Sequence, residues 1–407
     1  MADTATYSYK VRDKQGRMLE GELDAESTTL VANKLRQMGY VPVTIDKKNT
    51  GGLKMEISLF GPKKPKLKEI SVFSRQFATM INSGLSLLRS LYILEEQTEN
   101  KAFAAIIGEV RQDVEKGASL SQALAKHPKV FTKLYVSMVR SGEVGGVLDS
   151  VLLRLSSTIE KQVELRGKIK SAMTYPVAVL GLVLMIVAAM LLFIVPIFKT
   201  LYDDLGGTLP LPTRLLLLVS TLMTKFLPLI AIAVGVMVFL FRRWIKTTTG
   251  RSALDKFTLR VPIFGGLVQK TAIARFSGTL SALLRSGVPI LESLEIVSET
   301  VNNTVMANAI KDVSNAVKGG ESIAKPLSQH PVFPPMVTQM MAVGEETGAL
   351  DEMLEKIGEF YEQEVEATVN ALTSLLEPLL IVVLGGAVGA MVVSLYMPMF
   401  NIIKLVQ

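Results

Sequence analysis

Two kinds of hydrophobic pattern divide this chain. Between residues 70 and 170, and again between 273 and 375, apolar positions recur at helical spacing among polar ones. Each stretch leads directly into an almost wholly apolar run of about 20 residues, which is long enough to cross a bilayer. A third apolar run lies between them. The pattern predicts a mainly α-helical, polytopic membrane protein with two helical-bundle domains and three transmembrane helices.

The two amphipathic stretches are copies of one another. Ser83-Gly84 and His127-Pro128 recur as Ser286-Gly287 and His330-Pro331, with a constant offset of 203. The offset becomes 202 where GEVGGVLD recurs as GEETGALD. The repeated motif positions are Gly142, Glu143, Gly146 and Asp149 in the first copy and Gly344, Glu345, Gly348 and Asp351 in the second. We expect them to have a structural role or to contact a partner.

The chemistry of this motif allows two interpretations. Glycine is typical of a helix end, and an acidic residue is favourable near a helix start. Alternatively, Glu143 with Asp149, and Glu345 with Asp351, could bind a divalent cation. Such hard cations prefer about six oxygen ligands, and two per copy are few. We therefore predict no metal site.

Residues 1–46 follow a different pattern. TYSYKV alternates polar and apolar side chains, and MLEGEL and VPVTI also read as strands. Ser27 can cap a helix over LVANKLRQM. This region predicts a small ββαβ domain. The first residues contain no apolar stretch, so we expect this domain to remain in the cytoplasm.

These patterns together predict an order of domains. The second span is shortened at its start so that Lys225 lies near the membrane surface. The predicted order is a ββαβ domain (1–46), a basic linker (47–69), a first cytoplasmic helical domain (70–175), a first span (176–198), a periplasmic loop (199–221), a second span (222–241), a second cytoplasmic helical domain (250–375) and a third span (378–401).

Charge adds an orientation to this order. Arg166, Lys168 and Lys170 precede the first span, and Arg242, Arg243 and Lys246 follow the second. Because basic residues favour the cytoplasmic side, both helical domains are predicted inside and the C-terminus outside. Residues 47–68 hold seven lysines against one glutamate. This segment is either a solvated linker or a region that binds anionic membrane lipid.

The two helical domains also differ in charge. Residues 70–175 carry 14 basic and 10 acidic side chains, whereas residues 250–376 carry 10 and 15. Opposite net charges predict that the two domains meet different surfaces, or each other.

Candidate chemistry is sparse. The chain has no cysteine, only two histidines and no GxxxxGK[ST] phosphate loop. Each histidine precedes a proline in its copy, which favours a structural role at a helix end. A membrane transporter would be expected to have ionisable residues inside its spans. We predict neither an enzyme nor a cofactor site, and no nucleic-acid binding.

The third span contains a strip of small residues formed by Gly385, Gly386, Gly389 and Ala390. In lipid, such strips let helices approach closely. The strip is predicted to pack against another span, within the protomer or across a dimer. Alternatively, these residues reflect only the frequency of small residues in spans.

Several segments resemble those of a known family. SGLSLLRSL, VEKGASLSQAL, HPKVF, MVRSGEVGGVLD, KIKSAMTYP and PLPT are similar to the PilC family of bacterial type IV pilus inner-membrane platform proteins, which is related to the type II secretion system F proteins. The second copy departs from this pattern, since EP replaces YP and GEETG replaces GEVGG.

The resemblance implies a function. Such a protein is a non-enzymatic inner-membrane platform that couples a cytoplasmic hexameric ATPase to the insertion of pilin subunits into the fibre or their removal. Its expected partners are that ATPase, pilins, other inner-membrane pilus components and a second copy of itself. The alternatives are the F platform of a type II secretion system and, more distantly, a transporter.

Overall fold

The computed structural model forms two compact units, Met1–Lys63 and Lys64–Gln407. The residues that it describes are 5–12, 18–25, 27–47, 64–197, 200, 211–262 and 264–403. Most of the predicted linker therefore lies outside the described residues.

The first unit contains three strands and one helix, in the order β1 (Ala5–Arg12), β2 (Met18–Ala25), α1 (Thr28–Gln37) and β3 (Val41–Lys47). Strand β1 lies between β2 and β3 and is antiparallel to both. The side chain of Ser27 accepts a hydrogen bond from the backbone N–H of Leu30 and so caps α1. Tyr7 on β1 packs with Val31 and Leu35 of the helix.

The first copy of the repeat consists of six helices. They are α2 (Leu67–Asn82), α3 (Leu87–Gln97), α4 (Lys101–Glu115), α5 (Leu120–Ala125), α6 (Lys133–Gly145) and α7 (Leu148–Ala189). Helix α2 thus begins three residues before the predicted domain start at 70. Rings of adjacent aromatic residues in its core have centroids 5.0–6.4 Å apart.

The second copy repeats this series after two connecting helices. The connecting helices are α8 (Leu211–Ile245) and α9 (Thr248–Arg260). The second copy consists of α10 (Phe264–Arg285), α11 (Ile290–Thr300), α12 (Thr304–Lys318), α13 (Ala324–Ser328), α14 (Pro335–Thr347) and α15 (Leu350–Ile403). One continuous hydrophobic core includes buried residues from both copies.

The last helix of each copy carries the chain into an apolar segment without a loop. Helix α7 passes through Pro176 and continues as a π-helical turn over Met190–Ile194. Helix α15 has 54 residues, which corresponds to about 80 Å. Both helices are long and apolar enough to cross a membrane. The predicted first span ended at Phe198, which lies outside the described residues, and the π turn was not predicted.

The middle apolar segment differs from its prediction. Residues 211–221 were expected to be loop, yet they form the start of α8. The two halves of α8, Leu211–Phe226 and Ala231–Ile245, meet at 81°. Pro228 lies between them and cannot donate a backbone hydrogen bond, which explains a break at this place. The described residues thus contain two possible spanning helices, or three if the bent pair is one span.

Hydroxyl groups explain why the helix starts early. Thr213 Oγ1 donates to the backbone carbonyl of Ser394 at 2.5 Å, and Ser220 Oγ donates to that of Leu191 at 2.6 Å. These two bonds tie the first half of α8 to both long helices. The bonded carbonyl of Leu191 belongs to the π turn, and such turns often mark functional positions.

Candidate functional site: the repeated motif and the contact between the copies

The glutamate of the repeated motif caps a short helix in each copy. Glu143 accepts hydrogen bonds from the backbone N–H groups of Leu120 and Ser121, at 2.5 and 3.0 Å. In the second copy, Glu345 accepts from Ile323 and Ala324, at 3.0 and 3.4 Å. The first N–H groups of a helix lack partners within it, and a carboxylate there also suits the helix dipole. Both carboxylates are therefore used to hold α5 and α13.

The first glycine of the motif lies inside the corner between two helices. A Cβ atom on Gly142 would stand 3.1 Å from Leu148 Cα and Val151 Cβ. On Gly344 it would stand 2.9 Å from Leu350 Cα. Any larger residue would thus press on the first turn of α7 or α15. This glycine sets how closely each long helix can start beside the helix before it.

The second glycine ends a helix in each copy. Gly146 and Gly348 have φ angles of 67° and 73°, in the left-handed region that favours glycine. Asp149 and Asp351 follow in the first turns of α7 and α15, where an acidic side chain is stabilising. Among the described residues, no group of three or more His, Asp and Glu side chains could hold a metal ion.

The two histidines occupy equivalent positions after the capped helices. His127 Nε2 lies 3.5 Å from Glu109, and His330 Nε2 lies 3.7 Å from Asp312. The backbone carbonyls of His127 and His330 accept hydrogen bonds from the next turn of chain.

The two copies contact each other through pairs of opposite charge. Lys133 Nζ lies 2.7 Å from Glu299, and Arg140 pairs with Glu292, which also accepts from Ser137 Oγ at 2.9 Å. In each pair the base comes from the first copy and the acid from the second. The same holds for Lys168 and Glu366, 2.9 Å apart. Of the two alternatives that the charge difference left open, contact between the copies is the one that the structure contains.

Hydrogen bonds to backbone carbonyls reinforce this contact. Ser141 Oγ donates to the carbonyl of Ser286 at 2.5 Å, and Arg154 donates to the carbonyl of Arg285. Near Lys133, the hydrogen bond to Glu299 raises the pKa of the lysine. A raised pKa in the folded state means that this contribution to stability is complete below the ordinary lysine pKa and is lost only as pH rises past the folded value. The ion pair between Lys133 and Glu299 therefore remains formed at neutral and moderately alkaline pH.

One charged side chain near the contact between the copies, Arg275, forms no ion pair with a described residue. A groove of about 370 Å³ runs between α7, α10 and α15, and Arg275 and Glu362 line it. Burial, and then repulsion by Arg166, lower the pKa of Arg275. Arg275 forms no ion pair with any acidic residue that the structure describes. Arg275 is partly buried there, and a charge that is partly removed from water without an acidic partner is unfavourable.

The strip of small residues lies on an open surface of α15. A Cβ atom on Gly385, Gly386 or Gly389 would meet no atom of the described residues within 4 Å, and Ala390 is exposed. No described helix of the same protomer therefore packs into the strip. Its role in packing stays a prediction.

Sequence reasoning located the motif and missed the partners of its side chains. Glu143 accepts hydrogen bonds from Leu120 and Ser121, which precede it by 23 and 22 positions in the sequence. No local sequence pattern predicts hydrogen bonds over such a separation. The ion pair between Arg140 and Glu292 was also not predicted. The only signal for them was the opposite net charge of the two copies.

The matches to known protein families coincide with the two copies of the repeat. Residues 73–196 and 276–398 each match the family described as Type II secretion system (T2SS), protein F. Residues 1–46 match the family described as Type II secretion system protein F, N-terminal domain. The boundaries of the two longer matches agree with the two copies and their apolar helices.

Similarity to individual proteins extends over nearly the whole chain. The Type IV pilus assembly protein PilC of Thermus thermophilus is 47% identical over 400 residues, which cover 98% of each chain. The Type IV pilus assembly protein PilC of Myxococcus xanthus is 39% identical, over 99% of this chain and 96% of that protein. The Type II secretion system protein F of Xanthomonas campestris pv. campestris is 32% identical, over 97% and 98%.

Proposed function

This chain belongs to the type II secretion system protein F family, and we propose that within this family of membrane platform proteins it serves type IV pilus assembly. It is an inner-membrane component of pilus or secretion machinery. In the proposed role it has no catalytic site of its own. It couples a hexameric cytoplasmic ATPase to the insertion of pilin subunits into the fibre or to their removal.

The observation that carries this proposal is the continuity of the long helices. Helix α7 starts at the glycine corner of the first copy and reaches Ala189, deep in its apolar segment, without a loop. Helix α15 does the same from the second copy. A displacement of either copy by a motor would therefore reach the membrane through a rigid element about 60–80 Å long.

The coupling can be tested by loosening α7 between the first copy and its apolar segment. Residues 171–174, with sequence SAMT, are replaced by four glycines or, as the matched control, by four alanines. Glycine in a helix interior costs about 1 kcal/mol per residue relative to alanine. We expect the glycine variant to insert and to raise the ATPase rate of the motor, yet to assemble few pili. The alanine variant should assemble pili normally, and equal piliation of the two variants would contradict the proposal.

A second test concerns the ATPase itself. The purified protein should hydrolyse no ATP alone and should raise the rate of its partner hexamer, since the sequence contains no phosphate loop. Hydrolysis that survives removal of contaminating ATPase would contradict a platform without catalysis.

The proposed orientation places both copies in the cytoplasm and the C-terminus outside. Ion pairs such as Lys133–Glu299 join the copies directly, so a span that leaves the first copy must be followed by one that returns. Helix α8 joins α9 within the described residues and would supply this return despite its bend. Reporter fusions near residues 208 and 407 should read outside, and one near 300 inside. An inside signal near 208 would contradict this topology.

A type II secretion platform is the second candidate, because proteins of that name are 31–32% identical to the chain over most of its length. Relatives named for pilus assembly reach 47% identity, which favours the first candidate. Deletion of the gene should abolish surface pili and leave secretion of folded exoproteins intact. Loss of secretion with normal pili would select the second candidate.

A further inference from the structure

The corner between α8 and α9 gathers positive charge. Within residues 242–260, all six basic side chains are exposed and none forms an ion pair with a described acidic residue. They are Arg242, Arg243, Lys246, Arg251, Lys256 and Arg260. Elsewhere in the second copy, basic side chains such as Lys270 and Arg285 pair with glutamates. The corner is therefore a concentration of uncompensated charge.

The single acidic residue of this stretch is already engaged. Asp255 Oδ2 accepts a hydrogen bond of 2.8 Å from the backbone N–H of Thr304, at the start of α12. Its negative charge thus stabilises a helix start of the second copy. It also holds α9 against that copy, while the six basic side chains are all exposed.

The corner itself is tightly built. Thr247 Oγ1 donates to the carbonyl of Trp244 at 2.6 Å and accepts from the backbone N–H of Gly250 at 3.1 Å. A Cβ atom on Gly250 would lie only 2.1 Å from the Trp244 carbonyl oxygen. The last turn of α8 and the first turn of α9 are therefore held in one arrangement. The exposed basic side chains of both helices therefore lie on either side of one closely packed corner.

This basic surface adjoins an apolar one through a pair of aromatic rings. The second half of α8 exposes its side chains on all sides, including Ile232, Met237 and Phe239. Toward the corner, the rings of Phe241 and Trp244 stack with centroids 6.1 Å apart, and Trp244 is 46% exposed. Along the chain the apolar helix is followed by residues 241–246, in which aromatic and basic side chains are interspersed, and then by the basic side chains of α9. A protein surface at the boundary between acyl chains and headgroups has this arrangement.

From this geometry we infer that the α8–α9 corner binds the headgroups of anionic phospholipids in the leaflet that α8 enters. Each basic residue close to such a surface strengthens the attraction by about fivefold. An acidic protein segment could match the charge alone. Lipid matches the charge together with the adjoining apolar helix and the aromatic pair. The bound lipid would fix the height of the second copy at the membrane, because α9 joins the corner to α12.

The chain contains its own reporter for this site, since Trp244 is its only tryptophan. The full-length protein is reconstituted in vesicles of phosphatidylcholine with a minor fraction of phosphatidylglycerol. Two preparations have identical composition, and the bromine atoms that quench tryptophan fluorescence are on one lipid or on the other. We expect brominated phosphatidylglycerol to quench Trp244 several-fold more than its share of the bilayer predicts. Raised salt should reduce this excess.

Two triple variants make the test specific. Arg251→Gln, Lys256→Gln and Arg260→Gln together should remove most of the excess quenching, with a fall of about fivefold or more in preference. The control removes three exposed charges from the first copy, as Lys101→Gln, Lys116→Gln and Lys129→Gln, and should keep the excess. Quenching in proportion to bulk lipid in the unmodified protein would overturn the inference. So would an equal loss in both variants, or an undiminished excess in the first.

Discussion

Gly344 shows how a single hydrogen atom in place of a side chain determines the geometry of this fold. Its missing Cβ lets Leu350 Cα approach to a position 2.9 Å from where that atom would be. The contact is with backbone, so a side chain cannot rotate away to relieve it. The equivalent position in the first copy, Gly142, is almost as close to Leu148. Each long helix therefore depends on glycine at the residue where it meets the preceding helix.

We accordingly expect Gly344→Ala to lower the free energy of unfolding by about 1–3 kcal/mol, as overpacking does elsewhere. The measurement is thermal unfolding of the full chain in detergent. Gly145→Ala is the matched control, because a Cβ there would meet its nearest atom, in Val147, at an ordinary 3.4 Å. Alanine at that helical position should be neutral or stabilising. A Gly344→Ala protein as stable as the Gly145→Ala protein would show that the corner can relax.

The repeat offers a second comparison at this scale, between two serines. Ser74 Oγ donates to the carbonyl of Ile70 at 2.7 Å and lies 3.3 Å from Tyr135 Oη. Burial raises the pKa of Tyr135, which therefore stays a neutral phenol. Ser277 occupies the equivalent place in the second copy, where Val337 stands in place of the tyrosine. Its buried hydroxyl has no hydrogen-bond partner among the described residues.

The two serines should therefore respond differently to alanine. Ser74→Ala should destabilise the protein by about 1–3 kcal/mol, because it leaves a buried phenol with a partner removed. Ser277→Ala removes an unsatisfied hydroxyl and should be neutral or stabilising. Thermal unfolding of the two variants under the same conditions checks both signs. A larger loss for Ser277→Ala than for Ser74→Ala would contradict this account.

At the scale of residues, the sequence located the important positions and left their contacts open. Repetition at a constant offset marked the glycines and glutamates of the motif. Their roles depend on helices that begin about twenty residues earlier, as Glu143 and Leu120 show. Local pattern carries no information about such a contact. It is set by how the helices pack.

At the scale of elements, periodicity predicted helices well and their interruptions poorly. Apolar length identified the segments within α7 and α15, which the structure shows as helices able to span a membrane. The π turn at Met190–Ile194 has no signature of its own, since it accompanies a hydrogen bond from Ser220 on another helix. The early start of α8 was missed because Lys225 was assumed to mark the end of one straight span. Pro228 instead separates two differently directed halves.

The contact between the copies yields a prediction at the element scale. Arg140 on α6 pairs with Glu292 on α11, and both side chains are partly exposed. Arg140→Glu should place two negative charges together and weaken the contact, whereas the exchanged pair Arg140→Glu with Glu292→Arg should restore it. For partly exposed pairs we expect a coupling free energy of about 0.5–1 kcal/mol. A double-mutant cycle in thermal unfolding measures it.

The control for this cycle is Lys129→Glu, which reverses an exposed charge of the first copy that forms no ion pair with a described residue. Combined with Glu292→Arg, it should show no coupling. Strong coupling there would mean that net charge, rather than the contact of Arg140 with Glu292, joins the copies.

At the scale of the whole molecule, the chain brings two related domains into one body and sends a rigid helix from each toward the membrane. The opposite net charges of the two copies were compatible with separate partners, but some of these charges form ion pairs between the copies. The surfaces left for partners are those that the contact does not cover. In the membrane region, the strip on α15 is one of them, because no described helix packs against it.

The strip leads to the last prediction, which concerns the association of two copies of the chain. Gly385 and Gly389 lie one helical turn apart on an open face, where a second helix could approach closely. Because the chain has no cysteine, Ala390→Cys introduces a single thiol on this face. A disulfide between two copies requires Cα atoms within about 7 Å. If the strips pack together, oxidation of native membranes should give covalent dimers.

Gly389→Leu in this background should weaken dimers by about tenfold, or about 1.4 kcal/mol. Val388→Leu is the control, since Val388 lies off the strip on α15, and it should leave the dimers intact. Lipid alone would otherwise occupy the strip, and in that case no dimer would form with Ala390→Cys and Gly389→Leu would behave like Val388→Leu in pilus assembly.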